Sequence, residues 1–171
     1  ILGAYLRSPA TVYTAIRRTV KLDDGDHIVL HEDGPSGGLV LPDSTSKPLA
    51  NPLGDSRQVE EPTSEWHESD RVVLMLHGLG GSFRSGYMPR LAGRLNDAGF
   101  RTFRMDLRGW GAGRHVAKKT AHAGMSGDVA AALDCIERFC PKSPVTIIGF
   151  SLGGNLALKL AGESGENLPE C

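Results

Sequence analysis

The apolar positions of this chain change period several times, and the changes mark its elements. Ala15 to Leu22 alternates partly. Asp24-Gly25 is a hairpin turn signal, and His27-Ile28-Val29-Leu30 follows it. The pattern predicts an antiparallel hairpin, about 16–22 against 27–32. Arg71-Val72-Val73-Leu74-Met75-Leu76 is a continuous apolar run, as expected of a strand buried on both faces. Tyr87, Leu91, Leu95 and Ala98 then fall at helical spacing, opposite Arg90, Arg94 and Asp97, and Gly99 stops them. The predicted helix is 84–98.

Arg101 to Asp106 reads as a strand with Phe103 and Met105 on one face, followed by the glycine-rich Arg108-Gly109-Trp110-Gly111-Ala112-Gly113-Arg114. A second helix is expected with Ser126 as its cap, Asp128 in its first turn, and Val129, Leu133, Ile136 and Cys140 as its stripe. Pro141 and Pro144 end it. A β-branched strand, 145–149, leads into a last helix lined by Leu152, Leu156 and Leu160, with Gly153, Ala157 and Ala161 as a small face. Strand, helix, strand, helix, strand, helix implies a parallel sheet with right-handed crossovers. The expected class is α/β: one incomplete domain over 1–171, with a hairpin region (1–32), a polar insertion (33–69) and a parallel βα core (70–171). Within the first region, 1–14 reads as a loose segment. The insertion is rich in Pro, Gly, Ser, Asp and Glu and has no period, and Trp66 near its end is expected to dock it back.

Composition narrows the partners. The chain has 171 residues and a formal net charge of −1, which argues against a nucleic-acid surface. No apolar run is long enough to span a bilayer. Three cysteines, odd in number and without a Cys-x-x-Cys pair, fit reduced thiols in a cytoplasm. The six histidines show no spaced metal-ligand pattern, so neither metal nor cofactor is expected. The chain begins at Ile1 rather than Met and stops soon after the last helix, and it therefore reads as a fragment.

The chemistry gathers at the carboxyl ends of the parallel strands, where such sheets carry their sites. His77, Asp106 and Ser151 all lie there. Gly149-Phe150-Ser151-Leu152-Gly153 is a Gly-x-Ser-x-Gly turn between a strand and a small-residue helix, the context that a nucleophile elbow requires. Gly149 and Gly153 supply the tiny residues on either side, and the Leu152 N–H faces any negative charge that develops nearby. The same pentapeptide also occurs as a plain turn. His77-Gly78-Leu79-Gly80-Gly81 reads as an oxyanion loop, with the Leu79 N–H as second donor; a plain βα turn and a nucleotide loop are the alternatives. The dinucleotide fingerprint would need a third glycine where Phe83 stands. His77 reads as a loop brace rather than a general base. Asp106 and Arg108 read as holders of the glycine-rich turn rather than as a catalytic acid or phosphate loop. His115 and His122 read as surface or loop-bracing residues.

The run from His77 to Ala161 resembles the α/β-hydrolase superfamily, and within it the YheT-like, or AB hydrolase 4, group. The carrying features are His77-Gly78-Leu79-Gly80-Gly81-Ser82, Asp106-Leu107-Arg108-Gly109, His122-Ala123-Gly124 with Asp128, Gly149-Phe150-Ser151-Leu152-Gly153-Gly154-Asn155, and the Leu22-Asp23-Asp24-Gly25-Asp26 hairpin. The resemblance implies a serine hydrolase acting on small-molecule or lipid carboxylic esters. Ser151 would be the nucleophile and Leu79 and Leu152 the oxyanion donors, with His77, Gly78, Asp106, Gly149 and Gly153 supporting them. The fold's catalytic order is Ser, then acid, then His. No histidine follows Ser151, and Glu163, Glu166 and Glu170 come too soon after it. The acid and base are therefore expected in a missing C-terminal part, and this chain alone is expected to turn over esters poorly. The other readings are a non-catalytic hydrolase-fold binding protein or an acyltransferase using the same elbow. A haloalkane dehalogenase would carry aspartate at position 151. Strand 145–149, lacking a later partner, is expected to promote aggregation or dimerisation.

Overall fold

The structure, a computed structural model, describes residues 15–35 and 71–165. The segment 1–14, the body of the polar insertion with Trp66, and Glu166 and Glu170 lie outside the described residues.

A five-stranded mixed sheet is built from β1 (Ile16–Lys21), β2 (His27–Asp33), β3 (Arg71–Leu76), β4 (Phe100–Asp106) and β5 (Val145–Gly149). Its spatial order is β1-β2-β4-β3-β5. The hairpin turns at Gly25, whose φ of +76° suits a residue without Cβ. β2 runs antiparallel to β4, placing Val29 opposite Asp106 and His31 opposite Arg104. β3 is parallel to both β4 and β5.

Three helices cover the sheet: α1 (Tyr87–Asp97), α2 (Ser126–Phe139) and α3 (Leu152–Gly165). The continuous apolar run of β3 is divided between the two faces. Val72, Leu74 and Leu76 join the larger core with Ile28, Leu30, Phe103, Met105, Val129, Ile136 and Leu156. Val73 and Met75 pack with Met88 and Ala92 of α1. The crossover through α1 goes to one side of β3 and the crossover through α2 brings the chain back to the other side. β3 is thus the switch point of the sheet, and the cleft outside its carboxyl end is where a site is expected in such folds.

Five details differ from the sequence reading. α1 starts at Tyr87, after a Ser82–Ser85 turn, and its fully buried positions are Met88, Ala92 and Asn96, with Tyr87, Leu91 and Leu95 at the margin. Its face is rotated because a polar residue serves the core. The Asn96 amide donates to the carbonyls of Asp33 (2.9 Å) and Phe100 (3.2 Å) and accepts from Thr102 Oγ1 (3.1 Å). Ser126 does not cap α2. It is the first helical residue, and its hydroxyl lies 2.5 Å from Glu163 Oε2 on α3, tying the two helices together. Ala132 and Cys135, rather than Leu133, complete the buried stripe of α2. Ala161 is exposed, so the close face of α3 is confined to its start. Finally, β2 extends through Asp33, one residue into the expected insertion.

Candidate active site

The turn at Ser151 is built by close backbone approach. β5 ends at Gly149, and the ladder to β3 continues one residue further, with Phe150 N–H donating to Leu76 O at 3.0 Å. Ser151 then takes φ = +50°, a conformation that costs a side-chain-bearing residue about 1–3 kcal/mol and concentrates at functional sites. The two flanking glycines make the turn sterically feasible. A Cβ on Gly149 would lie 2.5 Å from the Gly153 carbonyl carbon and oxygen, and one on Gly153 would lie 2.6 Å from Leu76 Cβ and Leu76 O. The chain closes through Gly153 N–H to Phe150 O (2.9 Å) and Asn155 N–H to Ser151 O (2.9 Å). Ser151 is exposed. Leu152, the first residue of α3, has an N–H that no preceding turn of that helix can take up.

The glycine-rich loop after β3 lies against this turn. A Cβ on Gly78 would meet Phe150 O and Ser151 Cβ at 3.3 Å. The Gly78 carbonyl receives two donors, Gly81 N–H at 3.0 Å and the His77 ring at 2.7 Å. Leu107 N–H donates to His77 Nε2 at 3.2 Å, so the ring proton sits on Nδ1 and is the one given to Gly78. His77 is fully buried, and burial lowers its pKa below the ordinary histidine value, favouring this neutral ring. A planar trans peptide points its C=O and N–H in opposite directions. Fixing Gly78 O therefore also fixes the direction of the Leu79 N–H. The Leu79 side chain is 70% exposed.

Asp106, fully buried at the end of β4, gathers three segments. It accepts Phe83 N–H (2.7 Å) and Ala112 N–H (2.8 Å), and His31 Nε2 lies 3.0 Å from its Oδ2. Gly111 passes so close that a Cβ there would overlap the Asp106 carboxylate. Arg108 makes a two-pronged pair with Asp128 (2.7 and 2.6 Å) and reaches Asp24 Oδ2 at 2.5 Å. Asp128 first, then Asp24, push the Arg108 pKa above its ordinary value. Asp26 accepts the backbone N–H groups of Lys118 (2.7 Å) and Lys119 (3.0 Å). The hairpin tip is thus fastened to the loop preceding α2. His115 and His122 are exposed, and His122 Nδ1 accepts Gly124 N–H at 3.1 Å.

The structure brings His77, Gly78, Leu79, Ser151 and Leu152 to one edge. Asp106 sits one strand away from β3, beneath the adjoining loops. Three contributors escape the sequence reading. His31 stacks on Phe83 with ring centroids 3.4 Å apart. Phe83 entered the reading only as a missing glycine. Tyr87 entered only as an apolar position, yet its hydroxyl oxygen accepts Gly78 N–H at 3.2 Å. A histidine directly following the apolar Ile28-Val29-Leu30 run is the available signal for the first. Among the described residues no group of His, Cys, Asp or Glu is arranged to hold a metal ion, and no helix is long and apolar enough to cross a membrane.

A family model described as serine aminopeptidase, S33 matches residues 67–169. The chain is 30% identical over 110 residues to "Putative esterase YheT" of Escherichia coli (strain K12), covering 64% of this chain and 32% of that protein. It is 29% identical over 114 residues to the lysophosphatidylserine lipase ABHD12 of Danio rerio, covering 64% of this chain and 29% of that one. It therefore spans about a third of the length of these curated relatives. Among solved structures, the Pyrococcus furiosus esterase Pf2001 superimposes with a TM-score of 0.62 at 19% identity, over 90% of this chain and 48% of that one. XC6422 of Xanthomonas campestris, an α/β serine hydrolase without lid, gives 0.60 at 18%, over 91% and 59%. At such identities the structural likeness is one of fold.

Proposed function

The chain belongs to the serine aminopeptidase S33 family of the α/β-hydrolase superfamily, and from that premise we propose that it acts on carboxylic esters with Ser151 as nucleophile. The observation that carries this reading is Ser151 at φ = +50°, exposed, between two glycines that permit no Cβ. In the proposed reaction Ser151 Oγ attacks the ester carbonyl carbon while a base takes its proton. The oxyanion is met by the N–H groups of Leu79 and Leu152 at the positive end of α3. Each donor in such a hole contributes about 2.7–4 kcal/mol at the transition state. The alcohol leaves with a proton, and water then cleaves the acyl-enzyme.

His77 does not fit the role of base. Both of its ring nitrogens are committed, one to Gly78 O and the other to Leu107 N–H. No histidine follows Ser151 in the 171 residues, and Glu163 is engaged with Ser126 and Lys159. The proposal therefore takes the acid and base of the triad from sequence outside these residues, and small-molecule or lipid esters as substrates.

The test supplies a base from solution. Hydrolysis of p-nitrophenyl acetate is followed with increasing imidazole, in wild type and in Ser151→Ala. The expected result is slow turnover without imidazole and an imidazole-dependent increment that Ser151→Ala lacks. Equal rates in both proteins at every imidazole concentration would overturn the nucleophile assignment and favour a hydrolase scaffold kept for binding.

A further inference from the structure

We infer that Tyr87 is a positioning residue of the proposed ester-cleaving site, holding the oxyanion loop in register with the serine turn. The inference rests on the reading of Ser151 as nucleophile and names a residue that this reading does not require. Tyr87 stands at the first position of α1, off both strands that carry the site. Its hydroxyl oxygen accepts the Gly78 N–H at 3.2 Å. Its ring leans on Phe150, the residue before Ser151, with centroids 4.5 Å apart and planes at 49°. One side chain thus touches the loop that carries Leu79 and the turn that carries Ser151. These two segments already approach each other, with the Gly78 Cβ position 3.3 Å from both Phe150 O and Ser151 Cβ.

The hydroxyl and ring act on different parts. Gly78 has its carbonyl fixed by His77 and Gly81, which sets the peptide between residues 78 and 79. Its N–H belongs to the preceding peptide, between residues 77 and 78, and that N–H goes to Tyr87. With both peptides held, Gly78 has no freedom to rotate, and the Leu79 N–H keeps one direction. α1 does not depend on Tyr87 for its docking, because Met88, Ala92 and Asn96 are buried beneath it. Tyr87 packs at the margin of that core and adds to it a bond to the loop.

Tyr87→Phe removes the hydroxyl and keeps the ring on Phe150; Tyr87→Leu removes both. Three quantities are read in wild type and both variants: amide hydrogen exchange at Gly78 and Leu74, melting temperature, and the Ser151-dependent hydrolysis of p-nitrophenyl acetate at fixed imidazole. In Tyr87→Phe, exchange at Gly78 rises about tenfold or more while Leu74 in β3 is unchanged, and kcat falls about tenfold with KM within about twofold, the signature of a mispositioned catalytic group. Tyr87→Leu falls further. Unchanged Gly78 exchange in Tyr87→Phe overturns the inference, and so does unchanged kcat. A rate loss fully accounted for by loss of folded protein also overturns it. Absence of any Ser151-dependent turnover in wild type overturns the nucleophile reading instead, and the Gly78 exchange then decides by itself whether Tyr87 holds the loop.

Discussion

His77 Nδ1–H donates to the carbonyl oxygen of Gly78, the next residue, across 2.7 Å. The same ring accepts Leu107 N–H through Nε2, so it has no position left for a second proton. Protonation would replace an acceptor with a donor facing another donor, in a site closed to water. The folded-state pKa is accordingly lowered by burial, beneath the ordinary histidine value. A histidine whose folded pKa is lowered contributes stability that is complete above its unfolded pKa and is lost as pH falls through the window below it. The melting temperature should therefore decline between pH 7.5 and the mildly acidic range. His77→Asn keeps a donor near the Nδ1 position and does not titrate, so its melting temperature should decline less over the same interval. Parallel declines in thermal melts of the two proteins would contradict this account.

Two glycines of α3 should respond in opposite directions to the same substitution. A Cβ on Gly153 would lie 2.6 Å from Leu76 O and 2.8 Å from His77 O, which are backbone atoms that cannot turn aside. Gly153→Ala should lower stability by about 1–3 kcal/mol or more, the range for overpacking a closed site. Gly162 has nothing within 4 Å of its Cβ position. Gly162→Ala should raise stability by about 0.5–1 kcal/mol, as expected for relieving a helix-interior glycine. Urea titrations of the two variants check the signs, and a stabilised Gly153→Ala would mean that the turn at Ser151 is looser than this close approach implies.

The legible parts of the chain were those whose signal is local. β3 carries an unbroken apolar run and β5 a β-branched one, and both strands begin and end where the pattern places them. The close approach at Gly149 and Gly153 follows from two small residues flanking a serine at a strand-to-helix turn. What was not legible depends on partners far along the chain. The proximity of His31 to Asp106 spans 75 positions and arises from the antiparallel pairing of β2 with β4, which no period encodes. The Arg108–Asp24 bond spans 84. The face of α1 lies one position from the apolar pattern because Asn96, a polar residue, is buried, its amide N–H groups directed at backbone carbonyls and its oxygen accepting the Thr102 hydroxyl. Ser126 looked like a cap because cap chemistry is local, but a longer-range acceptor, Glu163, takes its hydroxyl.

Arg108 is the point at which the hairpin tip is fixed to the rest of the fold. Its side chain is 6% exposed and that of Asp128 is 5% exposed, so removing Arg108 leaves the Asp128 carboxylate buried without its two-pronged partner. Arg108→Met should cost about 3 kcal/mol, at the lower end for a broken buried pair. Arg108→Lys should recover little of this, because an ammonium group cannot reproduce the two-pronged bond to Asp128. Asp24 is more open, and its carboxyl is held well below the usual carboxylate range by Lys119 and then by Arg108. Asp24→Asn should accordingly destabilise less than Asp128→Asn. Chemical denaturation of the four variants orders them, and equal losses for Asp24→Asn and Asp128→Asn would contradict the assigned roles.

β5 pairs with β3 on one side, and among the described residues nothing pairs with its other side. Its side chains are half-buried or exposed, unlike those of β3. A groove beside it, between α2 and the strand, is lined by Leu133, Val145 and Ile147 together with Asp134, Glu137 and Lys142. An unpaired strand edge invites pairing with another chain. The 171-residue chain should self-associate as its concentration rises, which sedimentation velocity would register as a growing fraction of dimer and larger species. Thr146 is the exposed position of this strand. A charge there opposes edge pairing, so Thr146→Lys should shift the distribution toward monomer without a large change in melting temperature. A cooperatively melting wild-type monomer at high concentration, or a Thr146→Lys variant that associates as strongly as wild type, would exclude this edge as the contact.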